Sequence, residues 1–347
     1  ISALPFAYCT SFVRIVHKLN IDDFVINDDE KISWSRDLKL DVQRGKYVEF
    51  KKEKVRKSIY RPFTKHFLYF DRILNEEVYQ VPHIFPTLES EKENLVIGVV
   101  IEPQIPFSAQ MTNCIPCLHY GGRQTTCFPF YVYDDPSTGS GRRENISDWA
   151  LEQFNAHYGR GAAEGENSAF SIQHSEITKW DIFHYVYALL HSPAYREKYA
   201  ANLKRDLPHI PFVETVEKFW QYVEAGRRLA ELHVNYEQQA EYPLEMVENA
   251  EAHLDWRVEK MRLSKDKTEI QYNNFLTLRG IPAEAFEYRL GNRSALDWIV
   301  DQYRVTVDPR SKIVNDPNDS DDPQYIVRLI KKVVTVSVET VKIVKGL

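Results

Sequence analysis

The 347-residue chain reads as an α+β fold: a strand-rich first part, a helical middle and an α/β C-terminal part. Three observations predict it. Short runs of aromatic and β-branched residues, bounded by Pro and Gly, crowd the first 140 residues. Helical apolar spacing then dominates from about 147 to 236. Period-2 segments return after residue 256, before one long apolar stretch closes the chain. The parts are bounded as 1–140, 141–255 and 256–347.

Taken in order, Tyr47–Phe50 reads as a short strand and Lys51–Ser58 as a helical turn or two ending before Pro62. Phe67–Phe70, Leu95–Ile101 and Cys127–Tyr133 read as strands; the two longer ones are apolar throughout, as strands covered on both faces are. Asp134–Gly141 is a loop by composition, and Gly159–Ser168 a small-residue linker. Ser147 is placed to cap a helix. Thr178–His191 carries Phe183, Tyr187 and Leu190 on one face, and Ser192-Pro193 starts a further helix over Ala194–Asp206. Val216–Tyr236 repeats Phe219, Val223, Leu229 and Leu232 at helical spacing. Strands follow at Lys260–Leu263, Thr268–Tyr272 and Phe275–Leu278, the first two joined by a hairpin at Ser264–Lys267. Ser294–Tyr303 is a short helix. Tyr325–Val344 mixes both periods and is assigned to helix on length.

The composition is that of a globular protein, with 43% hydrophobic and 27% charged residues. No apolar run would span a bilayer, and four cysteines make no disulfide scaffold; a reducing, cytoplasmic setting with no membrane partner is expected. The chain opens on Ile1-Ser-Ala-Leu-Pro-Phe, without Met, basic leader or cleavage site, and so reads as a piece of a longer polypeptide.

The net charge of −6 is unevenly spread. Arg44–Arg72 holds ten Lys and Arg against three acids; Asn235–Asp255 holds six acids and no Lys or Arg. Segregated charge lets one face meet phosphate while another faces solvent or a neighbouring domain. Motifs for chemistry are missing. The sequence has no GxxxxGK[ST], GxSxG, HExxH or GxGxxG, and with no Pro-Pro dipeptide it cannot hold the Asp/Asn-Pro-Pro-Tyr/Phe motif of amino-methyltransferases. A binding module rather than an enzyme is expected, with no cofactor of its own. Cys114, Cys117, His119 and Cys127 could offer zinc four ligands, but their spacing is irregular and Cys127 opens an apolar strand, so they are read as buried thiols.

Two constellations remain. In the first, Pro62 stiffens a segment that Tyr60, Phe63, Phe67 and Tyr69 can anchor, presenting Arg61, Lys65, His66 and Arg72; Lys52, Arg56 and Lys57 flank it as phosphate contacts. The second is a turn-rich strip with Arg289, Asn292, Arg293, Arg304, Arg310, Lys312 and Asn315. In a major groove Arg reads guanine and Asn reads adenine. An ordinary polar loop would have the same composition.

Ser58-Ile-Tyr-Arg-Pro-Phe-Thr-Lys-His-Phe-Leu-Tyr-Phe-Asp-Arg72, Arg143-Glu-Asn-Ile-Ser-Asp-Trp149, Asp181-Ile-Phe-His-Tyr-Val-Tyr187 with His191-Ser-Pro-Ala-Tyr-Arg196, Gly291-Asn-Arg-Ser-Ala-Leu-Asp-Trp298, and Val314-Asn-Asp-Pro-Asn318 with Val334-Thr-Val-Ser-Val-Glu-Thr-Val341 together resemble the C-terminal specificity (target recognition) domain of Type ISP restriction–modification enzymes. The resemblance runs from about residue 40 to the end. It implies duplex DNA as partner, along with the methyltransferase and helicase-like domains of a parent polypeptide. That parent would use S-adenosylmethionine, ATP and magnesium for adenine methylation and ATP-dependent cleavage outside this chain. It places Tyr60-Arg-Pro-Phe63 at the junction with the methyltransferase core. Lys65-His66 stands where many relatives have Arg, and the Cys114/Cys117 pair is not part of the pattern. A coupling domain that docks other parts of the parent, without reading bases, is the competing expectation.

Overall fold

The computed structural model describes residues 34–159 and 176–347, together with Asp28 and Glu30. Most of the expected linker at Gly159–Ser168 lies outside the described residues. The architecture is α+β, as the sequence predicts. Helix α1 (Arg36–Gln43) precedes β1 (Val55–Arg61) and β2 (Thr64–Tyr69), followed by α2 (Val81–Ile84), α3 (Leu88–Glu93), β3 (Val96–Val100), β4 (Ser108–Thr112), β5 (Ile115–Pro116), β6 (Thr125–Pro129), β7 (Tyr131–Tyr133) and β8 (Arg142–Glu144). The middle contributes α4 (Asp148–Tyr158), α5 (Lys179–Leu189), α6 (Pro193–Lys198) and α7 (Val216–Val234). The last part holds β9 (Glu245–Glu248), β10 (Arg262–Leu263), β11 (Glu269–Gln271), β12 (Leu276–Arg279), β13 (Arg289–Leu290), β14 (Arg293–Ser294), α8 (Ala295–Gln302), β15 (Thr306–Val307), β16 (Val314–Asn315) and α9 (Tyr325–Lys345).

The N-terminal strands form two small sheets. One has the order β2-β1-β5, with β5 parallel to β1; the other is antiparallel, β4-β3-β6. Strand β3 is buried at every position, as its unbroken apolar run predicts. Cys127–Tyr133 departs from the expectation of one doubly covered strand. It splits into β6 and β7 at Phe130, and Cys127, Phe128, Tyr131 and Val132 are only half-buried. Tyr47–Phe50 has no regular structure, and Lys51–Ser58 is not helical beyond a 3-10 turn at Lys52–Lys54; from Val55 it is strand β1. In the C-terminal part β10, β11 and β12 form the expected hairpin and meander. A fourth strand, β9, pairs with β12 from within the acidic segment.

The expected helices form with their caps. Ser147 accepts from Ala150 N, Ser192 caps a helix that begins with Pro193, and Thr178 and Ser294 make capping boxes with Asp181 and Asp297. The helix after Ser192 ends at Lys198 rather than near Asp206; a separate 3-10 turn follows at Asn202–Lys204. Helices α5 and α7 pack so closely that a Cβ on Gly226 would lie 1.9 Å from the His184 carbonyl oxygen. No side chain fits between the two backbones there.

One hydrophobic core runs through all three parts. It joins Ile97 and Met111 to Tyr187, Phe219 and Leu229, and those to Leu276, Tyr288, Ile330 and Val334. The β1–β2 turn is keyed into it. Pro62 takes the first turn position, and Phe63 the second with φ +57°, the pattern of a type II turn that normally wants Gly or Asn there. Phe63 is fully buried, its ring edge-on to Tyr236 at 5.2 Å and to Tyr288 at 6.2 Å. The stiffness expected of the Pro62 segment is built from a strained turn and a buried ring.

A polar seam crosses this core. Met111 N donates to the Tyr187 hydroxyl, which donates to His233 Nδ1 at 2.5 Å; His233 Nε2 in turn meets Thr340 Oγ1 at 2.9 Å. This suits a neutral imidazole protonated at Nε2. Burial lowers His233 well below the ordinary histidine range, with His191 adding to it. Burial, and then the nearby Arg196, lower His191 to about 3. An unfolded histidine titrates near ~6.5, so protons bind the unfolded chain preferentially below that pH. The stabilisation is complete above the unfolded pKa and is lost as pH falls from there toward the folded value. At pH 5 the loss from His191 alone is on the order of 2 kcal/mol. Urea midpoints at pH 7 and pH 5 should differ accordingly, and His191→Gln should narrow the difference; equal midpoints in the unsubstituted chain would refute the assignment.

Candidate nucleic-acid interface

The β1–β2 hairpin sorts its cations by strand alternation. Arg56 points inward and is only 5% exposed. It pairs with Glu91 and donates to the carbonyls of Phe85 at 3.1 Å and Thr87 at 3.0 Å. The phosphate contact expected of Arg56 is corrected: its guanidinium is buried and held by a carboxylate and two carbonyls, not presented at the surface. Lys65 is likewise engaged, 2.7 Å from Glu237 and over the Tyr236 ring at 4.6 Å. Burial pushes the Glu237 carboxyl up, but Lys65 and a hydrogen bond from Tyr325 bring it below its ordinary value overall. So Lys65 ties the hairpin to the helical part, and the acidic segment supplies an internal partner as well as a solvated face.

Lys52, Lys57 and Arg72 are exposed and make no ion pair among the described residues. Arg61 is held: its guanidinium lies 4.2 Å from the Tyr60 ring centroid and donates to the carbonyls of Tyr60 at 2.7 Å and His119 at 3.2 Å. The His66 ring packs on the same tyrosine at 4.9 Å, and burial, then Arg61, lower its pKa.

The C-terminal strip divides in two. On the β13–β14 hairpin, which turns at Gly291 (φ +64°), Arg289 donates to the Asn292 carbonyl, and both residues are exposed. Arg293 lies over Trp298 at 4.8 Å and pairs with Asp301 at 2.6 Å; Asp301 also faces Arg304 at 3.6 Å. Arg310 and Lys312 sit at the tip of the separate β15–β16 ribbon. There the Asp308 carboxylate accepts from the backbone N–H of Arg310 and Ser311, and Lys312 has φ +56°. Asn315 is exposed on β16, whereas Asn318 is structural, its side chain bonded to Val258 N and O.

The sequence reading missed what joins these stretches. The β5–β6 loop, Cys117–Gln124, is bound to the first hairpin where Arg61 meets His119 and where Cys117 N donates to the Ile59 carbonyl at 3.0 Å. Its other side touches the C-terminal part: a Cβ on Gly122 (φ +88°) would lie 2.6 Å from the Trp298 ring. Tyr60, Arg61 and His66 are thus linked through one loop to Trp298, Arg293 and Arg304. The loop also exposes Arg123 and Gln124. The Gly121-Gly122 pair was the available signal.

Cys114, Cys117 and Cys127 pack with Ile59 and Tyr120. Burial raises the Cys127 thiol to about 12 and also raises Cys114. Among the described residues no three His, Cys, Asp or Glu side chains are grouped to hold a metal, and no helix is long and apolar enough to cross a membrane.

The fold and sequence have counterparts among known proteins. A nuclease-deletion mutant of the Type ISP restriction-modification enzyme LlaGI, solved with a DNA substrate mimic, is 33% identical with a TM-score of 0.77, over 97% of this chain and 25% of that one. DrdV in a DNA complex is 34% identical with a TM-score of 0.79, over 98% and 33%. The ATP-dependent Type ISP enzyme LlaBIII bound to DNA is 28% identical with a TM-score of 0.80, over 97% and 21%. The chain therefore spans a third or less of each of these proteins. No curated protein matches it. The model of the Type ISP C-terminal specificity domain matches residues 12–329, and the chain belongs to that family.

Proposed function

We propose that the chain binds duplex DNA and reads a short asymmetric target in it, as the recognition part of a restriction–modification polypeptide. The observation that carries this reading is the composite surface just described. Two basic, aromatic stretches more than 200 residues apart in sequence lie on either side of one loop. The exposed Lys52, Lys57 and Arg72 supply cations that can pair with phosphate, while Arg61 and Arg293 are stiffened by aromatic stacking and can be aimed at base edges. Likeness to three DNA-bound enzymes supports the reading. Adenine methylation and ATP-dependent cleavage, with S-adenosylmethionine, ATP and magnesium, belong on this proposal to parts of the polypeptide beyond this chain. Selection of bound duplexes from a pool randomised at its centre tests it: one recurring asymmetric sequence is expected, and an unenriched pool would refute it.

A second reading has its own support. Strand β2 is a sheet edge, and Phe67 on it is 76% exposed beside the stacked pair Phe50 and Tyr69. An apolar edge of this kind suits a docking contact with another part of the parent polypeptide, which a recognition domain also needs.

A further inference from the structure

We propose that the β5–β6 loop is a second base-reading element, with Arg123 and Gln124 placed to bind base edges in the major groove; the proposal rests on the DNA-reading function above. Three observations converge on it.

The first is rigidity. Five contacts fold the loop on itself: Tyr120 N to Cys117 O at 3.0 Å, Gly122 N to His119 O at 2.8 Å, Thr125 N to Leu118 O at 2.9 Å, Gly121 N to Thr125 Oγ1 at 3.1 Å, and Thr125 Oγ1 to Arg123 O at 2.8 Å. Tyr120 anchors it from beneath, fully buried with its hydroxyl donating to Gln110 O at 2.9 Å. Gly121 and Gly122 let the backbone lie against Val100 and Trp298, where a Cβ would come within 2.4 Å and 2.6 Å. A loop ordered in advance loses little entropy on binding.

The second is availability. Arg123 and Gln124 are exposed, and their side chains make no hydrogen bond, ion pair or ring contact among the described residues. Arg56 and Lys65, by contrast, are engaged with carboxylates.

The third is the local field. Between Glu102 and Asp134 the sequence has no acidic residue, in a chain whose net charge is −6. The loop itself therefore carries no acid to repel an approaching polyanion. Arg and Gln also bind guanine and adenine bidentately in the major groove, and the planar fork of Arg fixes that geometry where a lysine offers a point charge.

The test uses the whole polypeptide that carries this chain. Parent, Arg123→Ala, Arg123→Lys and Gln124→Ala forms each select from a pool of duplexes randomised at the centre, and their affinities are then measured for the parent's selected duplex and for a random one. Both side chains are exposed, so unfolding midpoints should not move. Arg123→Ala should weaken binding to the selected duplex by on the order of 10- to 100-fold and relax the preference at one position. Arg123→Lys should relax the same position while keeping the parent's salt slope on random duplex. Gln124→Ala should relax a neighbouring position. Unchanged preferences in all three variants would overturn the proposal. So would an Arg123→Lys variant with the parent's preference, combined with an Arg123→Ala variant weakened equally on both duplexes, because that is a phosphate contact. A parent polypeptide that enriched no sequence would refute the DNA-reading function itself, a separate outcome.

Discussion

Phe63→Ala is expected to destabilise the fold by about 3–5 kcal/mol, the usual cost of deleting a fully buried phenylalanine. Phe63 has no exposed surface and packs against His233 and Tyr236 from the helical part and Tyr288 from the C-terminal part. It also holds φ at +57°, which costs an L-residue roughly 1–2 kcal/mol. Burying the ring contributes about 1.5–3 kcal/mol, and each well-oriented aromatic pair about 0.5–1.5 more. Packing therefore outweighs the strain, and Phe occupies a position where local conformation alone would favour Gly. The order of the variants follows. Ala loses the ring and keeps the strain; Gly loses the ring and relieves it. Phe63→Gly should be the more stable of the two, by about 1 kcal/mol. Urea unfolding of both decides the matter: an Ala variant within 1 kcal/mol of the parent, or a Gly variant below the Ala one, would contradict this account of the turn.

The second large effect is on binding. Arg293→Ala is expected to weaken the complex with the selected duplex by on the order of 10- to 100-fold and to weaken binding to random duplex much less. Trp298 and Asp301 hold the guanidinium in place, so its approach to a base edge needs little reordering. Loss of fold would not explain the result. The Arg293–Asp301 pair is partly exposed, which limits its stabilisation to under about 1 kcal/mol, and Asp301 keeps Arg304 as a neighbour. Binding isotherms across a salt series separate the roles. A lost phosphate contact shallows the salt slope by about 0.9 on every duplex, whereas a lost base contact changes specificity and leaves the slope nearly unchanged. Unchanged affinity and slope on the selected duplex would remove Arg293 from the reading surface.

The helices were legible because their signals are local. Apolar spacing identifies α5 and α7 without any partner, whereas α9, which mixes both periods, was assigned on length alone. Strand β3 was legible for the same reason, as an unbroken apolar run. Strand β1 was not. Its inward positions include Arg56 and Ser58, so its alternation is not one of hydrophobicity, and what makes Arg56 an inward residue is Glu91, 35 residues further on. Strand β9 stayed hidden in the acidic segment because its positions are mostly exposed and it pairs at the sheet edge with β12.

The sequence alone settled the α+β class, the placement of the long helices, and the family resemblance through runs such as Tyr60-Arg-Pro-Phe63 and Gly291-Asn-Arg-Ser294. It could also concentrate the cations into two stretches, because composition is a local property. Which cations remain free was decided only by tertiary structure. Arg56 and Lys65 look like Lys57 and Arg72 in the sequence, yet the fold pairs the first two with Glu91 and Glu237, while the other two make no ion pair among the described residues. The β5–β6 loop could be identified as the link between the two stretches only once Arg61 was seen on His119 and Trp298 against Gly122. Contacts between residues more than fifty positions apart leave no periodic trace in the chain; only packing assembles them into a surface.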